Sequence, residues 1–203
     1  KPMLEINGKT ILEVLLQRCI ESGFRHFYSS VNYLKENIID YFGAGDKWGV
    51  NISYLEEIEP LGTCGSLRLL SKDVTKDIIV MNGDVLTDLE VDRLLNYHNK
   101  SDAPMTICTR LHCVRIPFAV LDTANSKLDK FVEKPTYTFQ VNAGVYAISP
   151  CLVNRVPRKY YDMTDLIEDL LDSDKEIGVF PIHENWKDIG NPLDFKEAVE
   201  SFK

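Results

Sequence analysis

The 203-residue chain has no long hydrophobic run. Its longest uninterrupted apolar stretches, such as Ile78 to Met81, are four residues long, whereas a membrane-spanning helix needs roughly 20 apolar residues. Residues 1–203 also contain no stretch that resembles the apolar centre of a secretory leader. The sequence therefore predicts a folded protein that does not cross a membrane, and we expect a cytoplasmic location.

Positive charge is scarce. The chain has 23 Lys and Arg against 31 Asp and Glu, which gives a net charge of −8. Non-specific binding of nucleic acid needs positive charge along the phosphates, so no nucleic-acid partner is expected. An anionic ligand would have to be bound through a metal ion or a few well-placed lysines.

The five cysteines include no Cys-x-x-Cys pair, and their odd number argues against a disulfide framework. Cys108, His112 and Cys113 lie close together, but a fourth zinc ligand at suitable spacing is missing, so we expect no zinc site. We interpret Cys19 and Cys151 as small core residues.

Several signatures of known chemistry are also missing. The chain contains no Gly-x-Gly-x-x-Gly, no P-loop ending in Gly-Lys-Ser/Thr, no Gly-x-Ser-x-Gly and no His-Glu-x-x-His. These absences argue against a dinucleotide-binding oxidoreductase, a P-loop enzyme, an α/β-hydrolase and a zinc protease.

What is present is an alternation of helical and strand patterns. Thr10 and Glu13 have capping-box spacing before a run with helical periodicity, and His26 to Val31 and Ile78 to Met81 have the apolar character of buried strands. Asn191 followed by Pro192 predicts the start of a closing helix. The first half thus predicts a mostly parallel sheet with helical crossovers. Ile78 to Met81 is predicted to be a central strand of this sheet, buried on both faces. The second half is predicted to add further strands around an Asn125-Ser126 turn.

Polar residues follow two of these apolar segments. Asn82, Gly83 and Asp84 come directly after Ile78 to Met81. Asp188 comes after a further predicted strand, Ile177 to Ile182, and just before Asn191. Ligands of open α/β sheets bind at the carboxyl ends of the strands, so the two carboxylates could converge on one Mg²⁺ that bridges phosphate oxygens. The alternative is that both are solvated turn residues.

Two other segments are weaker candidates. Glu133 and Lys134 follow an apolar strand, and the lysine could meet an anionic substrate, although exposed Glu-Lys pairs are usually solvated. The loop from Leu61 to Gly65 opens a helix, and its amides could receive an anion or follow the edge of a base.

Taken in order along the whole chain, these motifs resemble those of the sugar-1-phosphate nucleotidyltransferases, most closely the mannose-1-phosphate guanylyltransferase-like group. The resemblance implies a Rossmann-like three-layer α/β/α fold and attack of a sugar-1-phosphate oxygen on the α-phosphorus of a nucleoside triphosphate, with pyrophosphate leaving. The products would be activated sugars for surface glycans. The motifs are Lys1-Pro2-Met3, Pro60 to Gly65, Asn82-Gly83-Asp84, Glu133-Lys134-Pro135, Val141 to Gly144 and Trp186 to Gly190.

The resemblance also implies roles for individual residues, with GTP as the nucleotide. Asp84 and Asp188 would hold Mg²⁺, and Lys1 and Lys134 would act beside them as catalytic residues, Lys134 on the sugar phosphate. The residues implied in substrate binding are Gly62, Thr63 and Gly65 at the base, Glu133, Asn142 and Gly144 at the sugar, and Asn82 and Gly83 at the strand end.

The chain departs from the family pattern in four places. Only the Lys-Pro tail of the glycine-rich signature is present, so we expect residues 1–203 to be a nucleotidyltransferase domain without its first strand and phosphate loop, and inactive in that form. Cys64 and Lys187 stand where relatives commonly have Ala and Leu, and Ala119 stands where a glycine lines the sugar pocket. The alternative function is a non-catalytic nucleotide-sugar-binding module, and the strands of the second half offer an edge for pairing in a homo-oligomer.

Overall fold

A computed structural model describes residues 1–70, 74–190 and 192–201. Asn191, the predicted cap of the closing helix, lies outside the described residues. The described strands are β1 (Glu5–Ile6), β2 (Lys9–Thr10), β3 (His26–Val31), β4 (Asn51–Glu56), β5 (Ile78–Met81), β6 (Val85–Thr87), β7 (Met105–Arg115), β8 (Val120–Ala124), β9 (Lys127–Val132), β10 (Thr136–Ile148), β11 (Gly178–Pro181) and β12 (Trp186–Asp188). The described α-helices are α1 (Ile11–Glu21), α2 (Lys35–Phe42), α3 (Gly62–Gly65), α4 (Val91–His98), α5 (Pro150–Val153), α6 (Met163–Asp172) and α7 (Pro192–Ser201), and 3₁₀ turns cover Asp46–Trp48 and Ser66–Leu69.

The main sheet has four strands in the order β11-β7-β10-β5. β11 runs parallel to β7, while β10 lies antiparallel to both β7 and β5, so three of the four strands share one direction. The sheet is thus mixed: three strands share the direction predicted for a mostly parallel sheet, but the β7–β10 and β10–β5 ladders are antiparallel. β3 and β4 form a separate parallel pair.

The prediction that Ile78 to Met81 is a central strand is wrong, although its side chains pack against core clusters on both faces of the sheet. Within the part of the chain that the structure describes, β5 pairs with β10 alone, and each of its four residues is half-buried. A strand with one unpaired edge keeps partial contact with solvent, which an apolar run in the sequence cannot reveal.

Alternate side chains of the sheet enter two different core clusters. Val80 and Ile148 pack in one cluster with the helix α6, through residues such as Leu166. Val145 and Ala147 point to the opposite face and pack with Leu94 of α4. Because helices cover both faces of this sheet, the three-layer α/β/α prediction is confirmed.

Helix α1 begins where the sequence predicts. The Thr10 hydroxyl accepts a hydrogen bond from the Glu13 amide at 3.1 Å, as an N-cap should. The Glu13 carboxylate makes a different contact from the one in a capping box. It is buried, and it accepts hydrogen bonds from the Tyr41 hydroxyl and the Trp48 indole. Thr10–Glu13 spacing thus predicts the helix start but not the tertiary contact.

Strands β7 and β10 extend well beyond the sheet as a two-stranded ribbon, which we define as residues 110–141. The pairing runs to Arg115 opposite Thr136, continues through a hydrogen bond from the Ile116 amide to the Pro135 carbonyl at 3.0 Å, and resumes as β8–β9. At its tip, Asn125 and Ser126 have φ of 51° and 59°, the conformation of a tight hairpin turn. The predicted turn is therefore confirmed.

All five cysteines are free thiols. Cys151 is exposed, so its prediction as a core residue is wrong: the short helix α5 turns Leu152 and Val153 inward and leaves Cys151 outside. Among the described residues, no helix combines the length and the apolar character that crossing a bilayer requires.

Candidate active site

Asp84 and Asp188 lie next to each other on the small sheet formed by β6 and β12. Asp188 is opposite Val85 in the antiparallel register, and the Ile189 amide donates to the Asp84 carbonyl at 2.9 Å. The two carboxylates predicted to converge are thus brought together by this ladder.

The carboxylates of Asp84 and Asp188 repel each other when both are ionised. Partial burial, together with the nearby charges of Asp84 and Asp194, raises the pKa of Asp188 above its ordinary value. Lys1 acts in the opposite direction and lowers it. A bound cation would relieve the repulsion between the two aspartates, so the arrangement favours a cationic ligand.

The turn after β5 packs against the bulge of β10. The backbone amide of Asn82 donates a hydrogen bond to the Gly144 carbonyl at 2.9 Å. Gly144 has φ of +68°, and a Cβ atom there would lie 2.7 Å from the Asn82 side-chain nitrogen, so only glycine fits. Gly83 faces Pro2, whose Cγ would be 3.6 Å from a Cβ at that position. The structure therefore gathers the N-terminal segment, Asn82, Gly83, Asp84, Gly144 and Asp188 in one region.

Asn142 is held by its own strand. Its side-chain oxygen accepts from the Gly144 amide at 3.0 Å, and its nitrogen donates to the Tyr146 hydroxyl at 2.7 Å. Asn142 lies opposite Thr109 and Tyr146 opposite Ile107, so residues 143–145 of β10 face one residue of β7. This bulge bends the strand and sets the direction of the Asn142 side chain.

Sequence reasoning missed two of the residues that support this bulge. The Tyr146 hydroxyl anchors Asn142, and the Trp186 indole donates to the Ala143 carbonyl at 2.8 Å. Trp186 belongs to one of the motifs quoted above but received no role. Tyr146 gave no signal, because an aromatic residue in a strand is ordinary core composition.

The Gly62–Gly65 segment is tied to the start of helix α6. The Thr63 amide donates to the Asp162 carboxylate at 2.9 Å, and the amides of Cys64 and Gly65 donate to the Tyr161 carbonyl at 3.1 and 2.9 Å. These three amides are therefore not free to receive an anion, which was one of the two roles predicted for them from the sequence. A ligand would have to approach other atoms of this segment.

Asp162 has two structural roles at this junction. It caps α6 in a reciprocal capping box with Asp165, and it accepts hydrogen bonds from the Thr63 hydroxyl and the Tyr160 hydroxyl. The donors around it, led by the Thr63 amide, hold the pKa of Asp162 below its usual range. The sequence did not predict the contact between Asp162 and the glycine-containing loop.

Glu133 and Lys134 lie between β9 and β10, where the two parts of the ribbon join. They form an ion pair with each other at 3.7 Å, and their side chains are 60% and 55% exposed. Among the described residues, no hydrogen bond or ion pair joins either of them to Asp84 or Asp188. Within the described residues, this predicted pair therefore makes no direct polar contact with the two carboxylates.

The donor set at Asp84 and Asp188 suits Mg²⁺. This ion is commonly bound through one or two carboxylates, with waters and substrate phosphates completing its octahedral shell. In the described part of the chain, no group of three or more His, Cys, Asp or Glu residues is placed to hold a metal. Burial is the main cause of the raised pKa of Asp188, and the nearby charge of Asp84, which adds to it, is the observation that supports a cation between the two carboxylates.

This α/β/α fold with paired carboxylates beside a strand end defines a nucleotidyltransferase architecture. The family model described as nucleotidyl transferase matches residues 1–203, and the chain belongs to that family. The resemblance seen in the sequence and the predicted fold class are both confirmed.

Curated relatives of two kinds are among those that match the chain. It is 30% identical to a mannose-1-phosphate guanyltransferase of Yarrowia lipolytica, over 96% of this chain and 56% of the relative. It is 33% identical to the bifunctional protein GlmU of Methanococcus maripaludis, over 100% of this chain and 49% of the relative. The chain thus spans about half the length of these relatives.

Solved structures match over almost all of the chain. HddC from Yersinia pseudotuberculosis has a TM-score of 0.76 and 25% identity, over 100% of this chain and 89% of HddC. A glucose-1-phosphate thymidylyltransferase from Bacillus anthracis has a TM-score of 0.77 over 98% of this chain and 85% of its own, and at 16% identity it supports the fold alone.

Proposed function

We propose that this chain carries out nucleotidyl transfer, joining a sugar-1-phosphate to a nucleoside triphosphate with release of pyrophosphate. The observation that carries the proposal is the pairing of Asp84 and Asp188 beside the Asn82–Gly144 contact. Two anionic substrates must meet on a chain with a net charge of −8, so positive charge has to be supplied locally.

Asp84 and Asp188 would hold Mg²⁺, and the ion would neutralise phosphate charge and orient the phosphate oxygens. Lys1 lies close enough to Asp188 to lower its pKa, which places a second positive charge beside the same region. No covalent nucleophile on the protein is needed, because phosphoryl-group chemistry of this kind depends on positioning and charge neutralisation.

The other residues divide between the two substrates. Asn142 and Gly144 are proposed to contact the sugar, since the bulge of β10 orients both beside Asn82. Lys134 is proposed to contact the sugar phosphate, and Glu133 is proposed to contact the sugar. The Gly62–Gly65 segment is proposed to contact the base through atoms other than its three engaged amides.

GTP and mannose-1-phosphate are the proposed substrates. Relatives named as mannose-1-phosphate guanyltransferases support this choice, as does a structure of HddC described as a complex with GMP-PN. We also propose that the product serves surface-glycan synthesis in the cytoplasm. We also propose that the chain forms a homo-oligomer through strands of its second half.

The test is pyrophosphate release by the protein expressed from its own start codon, with four nucleoside triphosphates and a panel of sugar-1-phosphates. We expect Mg²⁺-dependent release with GTP and mannose-1-phosphate. Asp84→Ala and Asp188→Ala should each lower turnover at least about 100-fold, by analogy with the loss of other transition-state charge stabilisers. Glu176→Ala, an exposed carboxylate in a loop, is the matched control and should keep wild-type turnover.

The same assay distinguishes the alternative function. Binding of a nucleotide-sugar without pyrophosphate release from any substrate pair would favour the non-catalytic module suggested by Ala119. Near-normal turnover in Asp84→Ala or Asp188→Ala would contradict the proposed metal site. Release with a different nucleotide or sugar would retain the reaction and change only the substrates.

A further inference from the structure

The side chain of Asp88 joins two segments that lie far apart in the sequence. One carboxylate oxygen accepts a hydrogen bond from the Arg18 guanidinium of α1 at 2.5 Å, and the other accepts one from the Asn185 side-chain amide at 2.8 Å. The backbone amide of Asp88 also donates to the Asn185 carbonyl at 3.0 Å. Because Asp88 directly follows β6 and Asn185 directly precedes β12, these contacts close one end of the β6–β12 ladder.

The opposite end of the same ladder carries the two carboxylates of the candidate site. Asp188 is paired with Val85, and the Ile189 amide donates to the Asp84 carbonyl at 2.9 Å. The ladder between the two ends has only three residue pairs. A strand pair this short is poorly stable by itself, so the contacts at its ends are needed to hold the two strands in register.

Arg18 connects the ladder to the helix that holds the N-terminal segment. In the first turn of that helix, α1, the Leu12 amide donates to the Pro2 carbonyl at 3.0 Å. The neighbouring Lys1 lies close enough to Asp188 to lower its pKa. Helix α1 thus holds a positive charge of the site, and β6 and β12 hold the two negative ones. The ion pair made by Arg18 ties these elements together.

The Arg18 guanidinium contacts a second carboxylate, which makes a useful comparison. It donates to Glu21 of the same helix at 3.2 Å and to Asp88 at 2.5 Å. The Glu21 side chain is 65% exposed and the Asp88 side chain is 29% exposed. Solvent-exposed ion pairs contribute little to global stability, so the importance of Asp88 lies in the elements that it joins.

We propose that Asp88 is a positioning residue for the metal site, because it holds the β6–β12 ladder in register and thereby sets the separation of the Asp84 and Asp188 carboxylates. This inference rests on the proposed function, in which those two carboxylates hold Mg²⁺. Asp88 is four residues from Asp84, or roughly 13 Å at the rise of an extended strand, so it does not touch the ion. Mg²⁺ demands near-ideal octahedral geometry, and residues outside the ligand set commonly change metal affinity about 10- to 100-fold.

The experiment measures, for the full chain, the Mg²⁺ concentration that produces half of the maximal rise in its urea midpoint. Asp88→Ala removes both acceptor oxygens and should raise that concentration at least about 10-fold. Asp88→Asn keeps one acceptor oxygen for Asn185 but loses the charge that binds Arg18, so its increase should be smaller. Glu21→Ala is the matched control, since it removes a carboxylate from the same guanidinium without touching either strand, and it should keep the wild-type value.

Amide hydrogen exchange without divalent cation gives a readout that does not involve the metal. The Ile189 amide, which donates to the Asp84 carbonyl, should exchange at least about 10-fold faster in Asp88→Ala than in the wild type or in Glu21→Ala. That factor corresponds to the loss of about one hydrogen bond. Exchange of the β10 amides should be unchanged, which separates local opening of the ladder from a loss of global stability.

The proposal is wrong if Asp88→Ala and Glu21→Ala need the same Mg²⁺ concentration, or if their Ile189 amides exchange equally fast. A wild type that does not respond to Mg²⁺ would contradict the proposed metal site. Faster Ile189 exchange in Asp88→Ala would then still identify Asp88 as the residue that holds the ladder, and equal exchange would overturn that role too. Turnover gives a further distinction: high Mg²⁺ should restore it in Asp88→Ala but not in Asp84→Ala, which lacks a proposed ligand.

Discussion

Asp188 lies across the β6–β12 ladder from Val85, directly beside Asp84, and the charge of Asp84 helps to raise the pKa of Asp188. Such a pair destabilises the fold when both carboxylates are ionised and no cation is present. The cost is consistent with a binding site, where groups are arranged for a ligand rather than for stability.

Removal of one charge from this pair should stabilise the protein. A carboxyl group with a raised folded-state pKa contributes stability below its unfolded pKa, near 3.9, and loses that contribution as pH rises through the folded pKa. Asp188→Asn should therefore unfold at a higher urea concentration than the wild type at neutral pH without divalent cation. The difference between the urea midpoints of the two proteins should disappear when the pH falls below about 3.5.

Addition of Mg²⁺ should reverse the order of the two proteins. The ion should raise the urea midpoint of the wild type and leave Asp188→Asn unchanged. Asp102→Asn, at an exposed loop position, is the matched control and should respond to Mg²⁺ as the wild type does. A variant less stable than the wild type at neutral pH without cation would show that the two carboxylates do not repel.

A methyl group at Gly144 should disturb the site, and Gly8 offers a matched comparison. Both glycines have positive φ, +68° and +81°, but a Cβ at Gly8 meets nothing within 4 Å, whereas one at Gly144 meets the Asn82 side chain. Gly8→Ala should cost about 1–2 kcal/mol of unfolding free energy from backbone strain alone. Gly144→Ala should cost more than Gly8→Ala, and pyrophosphate release should fall only in Gly144→Ala. Equal urea midpoints for the two variants would mean that the Asn82 contact adjusts without cost.

The charge of Asp162 should stabilise the junction between the Gly62–Gly65 segment and α6. Because the folded protein lowers its pKa, this carboxylate contributes stability above its unfolded pKa and loses it as pH falls through the folded value. Asp162→Asn retains a helix-capping oxygen but loses the charge, so its urea midpoint should fall below that of the wild type at neutral pH and meet it in acid. Glu168→Gln, on an exposed position of the same helix, should show no such pattern.

The cysteines should separate into two classes of reactivity. Cys113 and Cys151 are exposed, while Cys64 and Cys108 are fully buried, and burial raises the pKa of each buried thiol to about 12. Burial raises the pKa of Cys19 to about 12 as well. Iodoacetamide should therefore modify two thiols rapidly in the native protein and all five in urea, as counted by mass spectrometry. Rapid modification of Cys64 would indicate that its loop opens.

The sequence predicted best the features that depend on local patterns. Helix α1, with its Thr10 cap, and the Asn125-Ser126 turn are set by side-chain periodicity and turn chemistry within a few residues. The exposed position of Cys151 was not predicted, because one turn of helix has no periodicity to show which side faces the core.

The sequence by itself determined the fold class, the order of most elements and the family, because these follow from periodicity and from motifs that keep their order along the chain. Only the tertiary structure decided that Asp84 and Asp188 are neighbours, that Asp162 and Tyr161 engage the amides of the glycine-containing loop, and that residues 110–141 extend as a ribbon. Strand pairing, bulges and contacts between distant segments depend on which surfaces meet in the folded chain, and no local pattern encodes that meeting.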